Sequence, residues 1–196
     1  MFEVKFFVFG VPRPSGSKRG FIVGRVKGKK GKVVLVDTSG QRGKDWRGDL
    51  QARAMEEGTK ALTSFMDVND LDDLQEWADA PVYLRLEFVL PRPKYHYMRG
   101  KRGAVRIERS ACVPLTPWAK DAFPVGRPDV LKLARAVEDA LTGILWSDDA
   151  QIVEEVLIKR YGERPGVWVE VVRGRGASDR MGRPEKRNPD IFESCR

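Results

Sequence analysis

The sequence is poor in the side chains that many catalytic and metal sites require. Its 196 residues include one histidine, His96, and two cysteines, Cys112 and Cys195, which lie far apart. This composition excludes zinc sites built from several His or Cys ligands and argues against Ser-His-Asp or Cys-His catalysis. Two distant cysteines also argue against a disulfide framework, so we expect a reducing, cytoplasmic environment.

Long hydrophobic runs are absent as well. The apolar run at Phe6–Phe9 is too short for the core of a signal peptide, and prolines follow it at positions 12 and 14. No segment approaches the roughly 18 apolar residues of a membrane-spanning helix. We therefore expect a protein that does not enter a membrane.

Positive charge, by contrast, is in excess. Lys and Arg number 36 and Asp and Glu 28, which gives a net charge of +8. Basic residues outnumber acids by 14 to 6 in residues 1–60 and by 7 to 1 in residues 92–109, whereas residues 67–79 hold six acids and no base. A single basic run is often only a solvated loop, but two separate blocks in a small domain indicate a polyanionic partner, usually nucleic acid.

Hydrophobic periodicity predicts a single domain over residues 1–173 that contains several strands and two main helices. The sequence predicts strands over 2–11, 81–90, 144–146, 150–158 and 166–173, a hairpin over 21–36, and helices over 43–65 and 129–142. It predicts a short helix or loop over 67–79, a long functional loop over 91–126 and a basic, mobile tail over 174–196. The predicted core includes Trp118, Trp146, and helix stripes formed by Trp46, Leu50, Ala54 and Met55 and by Val130, Leu133, Ala134, Val137 and Leu141.

Acidic residues cluster around the second predicted helix. Asp129 stands at its N-cap, and Asp139 lies ten residues on, roughly 15 Å away, too far to share one ion. Six extended steps from Gly143 cover about 20 Å, which would return Asp148 and Asp149 to Asp129. Three carboxylates there would need a hard cation such as Mg²⁺. On spacing alone, a helix cap and a turn account for the same residues.

The stretch from Gly126 to Val171 resembles the RusA family of Holliday junction resolvases of bacteria and their phages. The family pattern is matched, in order and nearly in spacing, by Arg127-Pro128-Asp129, Asp139-Ala140-Leu141 and Asp148-Asp149-Ala150-Gln151-Ile152. Residues 6–19 and 37–54 match its opening strand and first helix more weakly.

The resemblance implies an α+β fold in which a small mixed β-sheet packs against two main helices. It also implies a homodimeric, RusA-like nuclease of a bacterial or phage-encoded, cytoplasmic kind that resolves branched DNA in recombination and repair. It implies Mg²⁺, or Mn²⁺ in its place, bound at Asp129 and Asp149 with Asp148 adjacent. The sequence departs from the pattern where a second helix aspartate is replaced by Leu131; Glu138, two turns away, lies too far to replace it.

The family's catalytic basic position falls on Arg135, which cannot donate a proton as Lys can, and Lys132 is the nearby alternative. Three hypotheses follow: an active branched-DNA endonuclease, a non-catalytic DNA-binding relative, or a nuclease that acts on flaps or RNA.

Basic and aromatic side chains in the loops are the predicted DNA contacts. Tyr95 and Tyr97 are expected either to stack on unpaired bases or to pack against their loop, and His96 to be a surface group. The predicted phosphate-binding residues are Arg13, Lys18, Arg19, Lys27, Lys29, Lys30, Lys32, Arg99, Lys101 and Arg102.

Overall fold

The computed structural model describes residues 2–15, 18–23, 32–37, 40–67, 79–98 and 115–174. Eight main elements follow in chain order: β1 Phe2–Phe9, β2 Lys18–Val23, β3 Lys32–Asp37, α1 Gly40–Met66, β4 Val82–Pro91, α2 Val130–Leu141, β5 Ile152–Gly162 and β6 Gly166–Arg173. Short 3₁₀ turns lie at Lys94–His96, Pro117–Ala119 and Asp149–Gln151. Among the described residues, no helix is both long and apolar enough to cross a membrane.

The main sheet has four strands in the order β1-β6-β4-β5. Strands β4 and β5 pair in parallel, whereas β6 is antiparallel to both β1 and β4. A parallel pair needs a crossover connection, and α2 lies in the connection between β4 and β5. Strands β2 and β3 form a separate antiparallel pair.

The core lies between the sheet and the two helices. Alternate residues of β1 are buried, starting at Phe2, because successive strand side chains point to opposite faces. They meet Leu50 of α1 and Leu133 of α2, both fully buried, and Phe88 of β4. Burying each such side chain stabilises the fold by roughly 1.5–3 kcal/mol.

The predicted α+β class, with a mixed sheet and two main helices, is confirmed. The predicted strand at 144–146 is wrong, because this segment is a turn. Met55 is 57% exposed and does not belong to the buried stripe of α1, because it lies about 100° around the helix from Ala54.

The two tryptophans assigned to the core differ. Trp146 is buried as predicted, but Trp118 is 56% exposed. The described parts of the hairpin begin three residues earlier than predicted, at Lys18. The hairpin tip, most of the acidic stretch and of the tail, and residues 99–114 of the long loop lie outside the described residues. The division into residues 1–173 and a tail remains a prediction.

Candidate active site

Asp129 occupies the N-cap position of α2. Its backbone is extended, with φ −68° and ψ 139°, yet its side chain accepts no capping hydrogen bond from the described backbone of α2. The carboxylate side chain is 58% exposed, and Oδ2 lies 3.1 Å from Nζ of Lys132. The ion pair is solvent-exposed and contributes little to stability. Asp129 therefore presents an accessible carboxylate at the positive end of a helix.

Leu131 lies in the first turn of α2. Its side chain is 69% exposed, so it is not part of the core. The position that the family pattern gives to a second aspartate thus carries an apolar group on the surface, close in sequence to Asp129. This helix end offers one carboxylate where the pattern has two.

Lys159 fixes the chain just before Asp129. From β5, its Nζ donates hydrogen bonds to the backbone oxygens of Gly126, at 2.9 Å, and Pro128, at 3.0 Å. A charged donor with two carbonyl acceptors holds the start of α2 against the sheet. Sequence reasoning missed this residue. The one signal in the sequence was that Lys159 follows Leu157 by two residues in a predicted strand, so that both side chains point to the same face.

Asp149 lies at the other end of α2. Its Oδ1 accepts a hydrogen bond from Nε1 of the buried Trp146, at 3.0 Å, and another from the hydroxyl of Thr142, the C-cap residue. The twelve residues of α2 separate Asp149 from Asp129 by roughly 18 Å at 1.5 Å per residue. Two aspartates of the family pattern therefore flank one helix.

The expected return of Asp148 and Asp149 to Asp129 within one protomer is wrong. After α2 the chain does not extend but closes a compact turn, in which the N–H of Gly143 donates to the backbone oxygen of Trp146 at 2.7 Å. Among the described residues, no group of three His, Cys, Asp or Glu side chains is arranged to hold a metal ion.

Asp148 has a local structural role. Its carboxylate accepts a hydrogen bond from the N–H of Ala150 at 2.8 Å, and it forms a capping box with Gln151. Caps of this kind fix the direction in which a chain enters a turn. Asp148 thereby orients the backbone that carries Asp149.

A second acidic feature surrounds Asp149. Partial burial, the charges of Glu155, Asp149 and Asp139, and a hydrogen bond to Glu155 raise the pKa of Glu138 to about 7. Burial also raises the pKa of Glu155, against the effect of that hydrogen bond. Because the neutral form of Glu138 is favoured, it donates the shared proton to Glu155. The C-terminal end of α2 is thus rich in carboxylates.

The first turn of the chain docks on α2. The N–H of Ser15 donates to the backbone oxygen of Lys132 at 2.9 Å, and the Ser15 hydroxyl donates to Oδ2 of Asp139 at 3.0 Å. Arg13, half-buried, is therefore carried to the same side of the molecule as α2. Arg135 is exposed on α2 itself.

The other predicted DNA contacts divide into two groups. Tyr95 is 62% exposed, whereas Tyr97 is half-buried and pairs with Leu115. His96 is buried, so the surface position predicted for it is wrong. The remaining predicted contacts have side chains outside the described part of the structure: Lys18, Arg19, Lys27, Lys29, Lys30, Lys32, Arg99, Lys101 and Arg102.

Comparison with known proteins identifies the family of the chain. The uncharacterised protein YqaN of Bacillus subtilis (strain 168) is 24% identical over 168 residues, which are 86% of this chain and 94% of that protein. The sequence model of the endodeoxyribonuclease RusA family matches residues 69–172, more than half of the chain. This match includes α2 with both flanking aspartates. The chain therefore belongs to the RusA family of endodeoxyribonucleases.

Proposed function

We propose that this chain is a divalent-metal-dependent endonuclease that cuts four-way junctions and related branched DNA as a homodimer. The observation that carries the proposal is the placement of the two pattern aspartates. Asp129 presents an exposed carboxylate at the start of α2, and Asp149 is held at its end by Thr142 and Trp146.

The chemistry of these two side chains fits Mg²⁺ or Mn²⁺. Hard cations prefer oxygen ligands, and Mg²⁺ in nucleases is commonly held by one or two carboxylates together with substrate phosphate. Both hydrogen bonds to Asp149 go to Oδ1, so we assign metal binding to its Oδ2. When bound, such an ion polarises the phosphodiester and lowers the pKa of the attacking water.

A second copy of the chain would complete each site. Roughly 18 Å between the helix ends exceeds what one ion can span, since Mg²⁺ binds its ligands at about 2.1 Å. Two α2 helices packed antiparallel across a two-fold axis would bring Asp129 of one protomer beside Asp149 of its partner. The same axis gives two equivalent sites, as symmetric cutting of two strands requires.

The neighbouring side chains have complementary roles in this proposal. Lys132 and Arg135 lie exposed on α2, where Lys132 neutralises Asp129 and Arg135 clamps a phosphate of the bound strand. Asp148 contributes by orienting Asp149 through its cap.

The test is cleavage of a four-way junction with Mg²⁺ and with EDTA. Wild type should cut only with the metal. Asp129→Asn and Asp149→Asn should each lose at least about 100-fold, because even outer-shell partners of a metal cost 10- to 100-fold. Asp148→Asn is the matched control, since Asn caps as well as Asp and should preserve cleavage. Wild-type rates in both metal-site variants would contradict the assignment.

Leu131 supports one alternative, a DNA-binding relative that no longer cuts. This alternative predicts junction binding with no cleavage in Mg²⁺ or Mn²⁺, at any concentration tested. Substrate choice is tested in the same assay by offering a flap and a fully paired duplex of equal length beside the junction.

A further inference from the structure

Two exposed aromatic rings lie side by side where β4 and β5 end. Tyr95 and Trp118 are 62% and 56% exposed, and their rings are nearly parallel, with centroids 6.1 Å apart and planes inclined by 14°. Rings of this size are normally buried or placed in binding sites, because their exposure leaves a large apolar surface in water.

A buried ring supports the pair from behind. His96 is 2% exposed and meets Tyr95, Trp118 and Tyr161 edge-to-face, with centroid distances of 4.8, 4.9 and 4.9 Å. Its Nδ1 has no hydrogen-bond partner among the described residues, so the ring is retained there despite the cost of an unpaired polar atom. His96 therefore packs the segment at residues 94–98 against the segment at residues 115–119.

Hydrogen bonds join these segments independently of the rings. The N–H of Thr116 donates to the backbone oxygen of His96 at 2.9 Å. The guanidinium of Arg92 donates to the backbone oxygen of Ala119 and lies 5.8 Å from the centre of the Tyr161 ring. The aromatic pair is thus positioned before any ligand arrives, which lowers the entropic cost of binding one.

The pair lies on the same side of the sheet as the start of α2. Tyr161 follows Lys159 by two residues, so both side chains point to one face and are about 7 Å apart along β5. Lys159 in turn binds the backbone immediately before Asp129. A nucleotide on the aromatic pair would therefore lie near a strand bound at Asp129.

The charges around the pair fit a nucleic acid. Over residues 94–98 and 115–129, three bases and two acids are exposed: Lys94, Lys120 and Arg127, and Asp121 and Asp129. A base within a duplex has both faces covered by its neighbours. An unpaired base can leave the stack and place one face against an aromatic ring.

We propose that Tyr95 and Trp118 form a stacking platform for one unpaired base of the bound strand, with His96 as a positioning residue. The platform would let the protein distinguish branched from fully paired DNA without reading sequence. It rests on the proposed function only in taking DNA as the ligand.

The test is equilibrium binding in EDTA, so that cleavage plays no part. Three probes of equal length are compared: a duplex with a one-base bulge, the same duplex with an abasic bulge, and a fully paired duplex. Wild type should bind the bulged base about 5- to 160-fold more tightly than the abasic bulge, which corresponds to the 1–3 kcal/mol that stacking one base on an aromatic ring contributes.

Trp118→Ala should abolish that preference and leave duplex affinity unchanged. Trp118→Phe should keep the preference within about threefold of wild type, because a phenyl ring still stacks. Phe9→Ala is the matched control, since Phe9 is 60% exposed on the opposite face of the sheet, and it should retain the full preference.

Equal losses on all three probes in Trp118→Ala, or a retained preference for the bulged base, would overturn the platform. Because binding is measured in EDTA, its result does not depend on cleavage. A protein that binds the bulged base but fails to cut junctions would therefore refute the nuclease proposal and support the platform. A wild type that binds none of the probes would overturn the platform, whereas the nuclease proposal is decided separately by the junction cleavage assay.

Discussion

At the scale of single residues, Leu131 is the clearest departure from the family pattern. Because its side chain is exposed, Leu131→Asp should change the free energy of unfolding by no more than about 0.5 kcal/mol. A carboxylate in the first turn also suits the helix dipole. We expect faster junction cleavage and a lower Mg²⁺ requirement, measured by titrating Mg²⁺. Leu131→Asn, which is uncharged, is the control; equal Mg²⁺ requirements in wild type and Leu131→Asp would show that the position does not face the metal.

Glu138 gives a prediction about pH. Its pKa is raised to about 7 from an ordinary value of 4.5, so the fold favours its protonated form. The stabilisation of the folded state by protonated Glu138 is therefore fully present below pH 4.5 and is lost as pH rises through 7. Glu138→Gln should exceed wild type in unfolding free energy at pH 8 by about 1 kcal/mol, allowing for partial solvent exposure, and should match it at pH 4.5.

Denaturant unfolding in EDTA measures this difference, with Glu154→Gln as the control, since Glu154 is an exposed acid on β5 next to Glu155. A difference between wild type and Glu138→Gln that does not change with pH would refute the explanation.

Only some residues of the candidate site could be predicted from the sequence. The acids of the candidate site could be named from the family pattern, but the surroundings of His96 and Trp118 could not. Their burial depends on two segments, 94–98 and 115–119, that meet across a long connection, and no local periodicity records that contact.

At the scale of elements, α2 separates the two aspartates of the candidate site, and Lys159 holds the backbone at the start of α2. Lys159→Gln should lose hydrogen bonds from a charged donor to two carbonyls and lower stability by about 1–3 kcal/mol. The cleavage rate should fall by more than the loss of folded protein accounts for, because Asp129 loses its fixed position. The measurement is cleavage rate beside thermal unfolding, with Lys44→Gln, an exposed lysine of α1, as control. Unchanged cleavage in Lys159→Gln would mean that Lys159 serves stability alone.

The helices and most strands were predictable because their apolar residues repeat with the period of each element. The return of Asp149 to Asp129 was not, because chain length limits only how far six residues can reach. The hydrogen bonds from Gly143 and Thr142 decide where those residues go, and both bonds depend on a turn that no repeat signals.

At the scale of the whole molecule, the net charge of +8 predicts binding dominated by phosphates. With 6–10 phosphate contacts, junction affinity should fall by about 10³- to 10⁵-fold between 50 and 200 mM salt. Fluorescence anisotropy over that range, at constant pH and without metal, measures the slope. A flat binding constant would contradict nucleic-acid binding through basic surfaces.

The proposed two-fold assembly leads to the most direct test of the account, cleavage by mixed dimers. Asp129→Asn and Asp149→Asn protomers, carrying different affinity tags, are co-expressed, and the heterodimer is purified on both tags. If each site takes Asp129 from one protomer and Asp149 from the other, the heterodimer has one intact site and one with both acids lost. It should nick one strand of a four-way junction at about half the wild-type rate per dimer, while both variant homodimers stay inactive. A heterodimer as inactive as the two homodimers, beside an active wild type, would contradict a site shared between protomers.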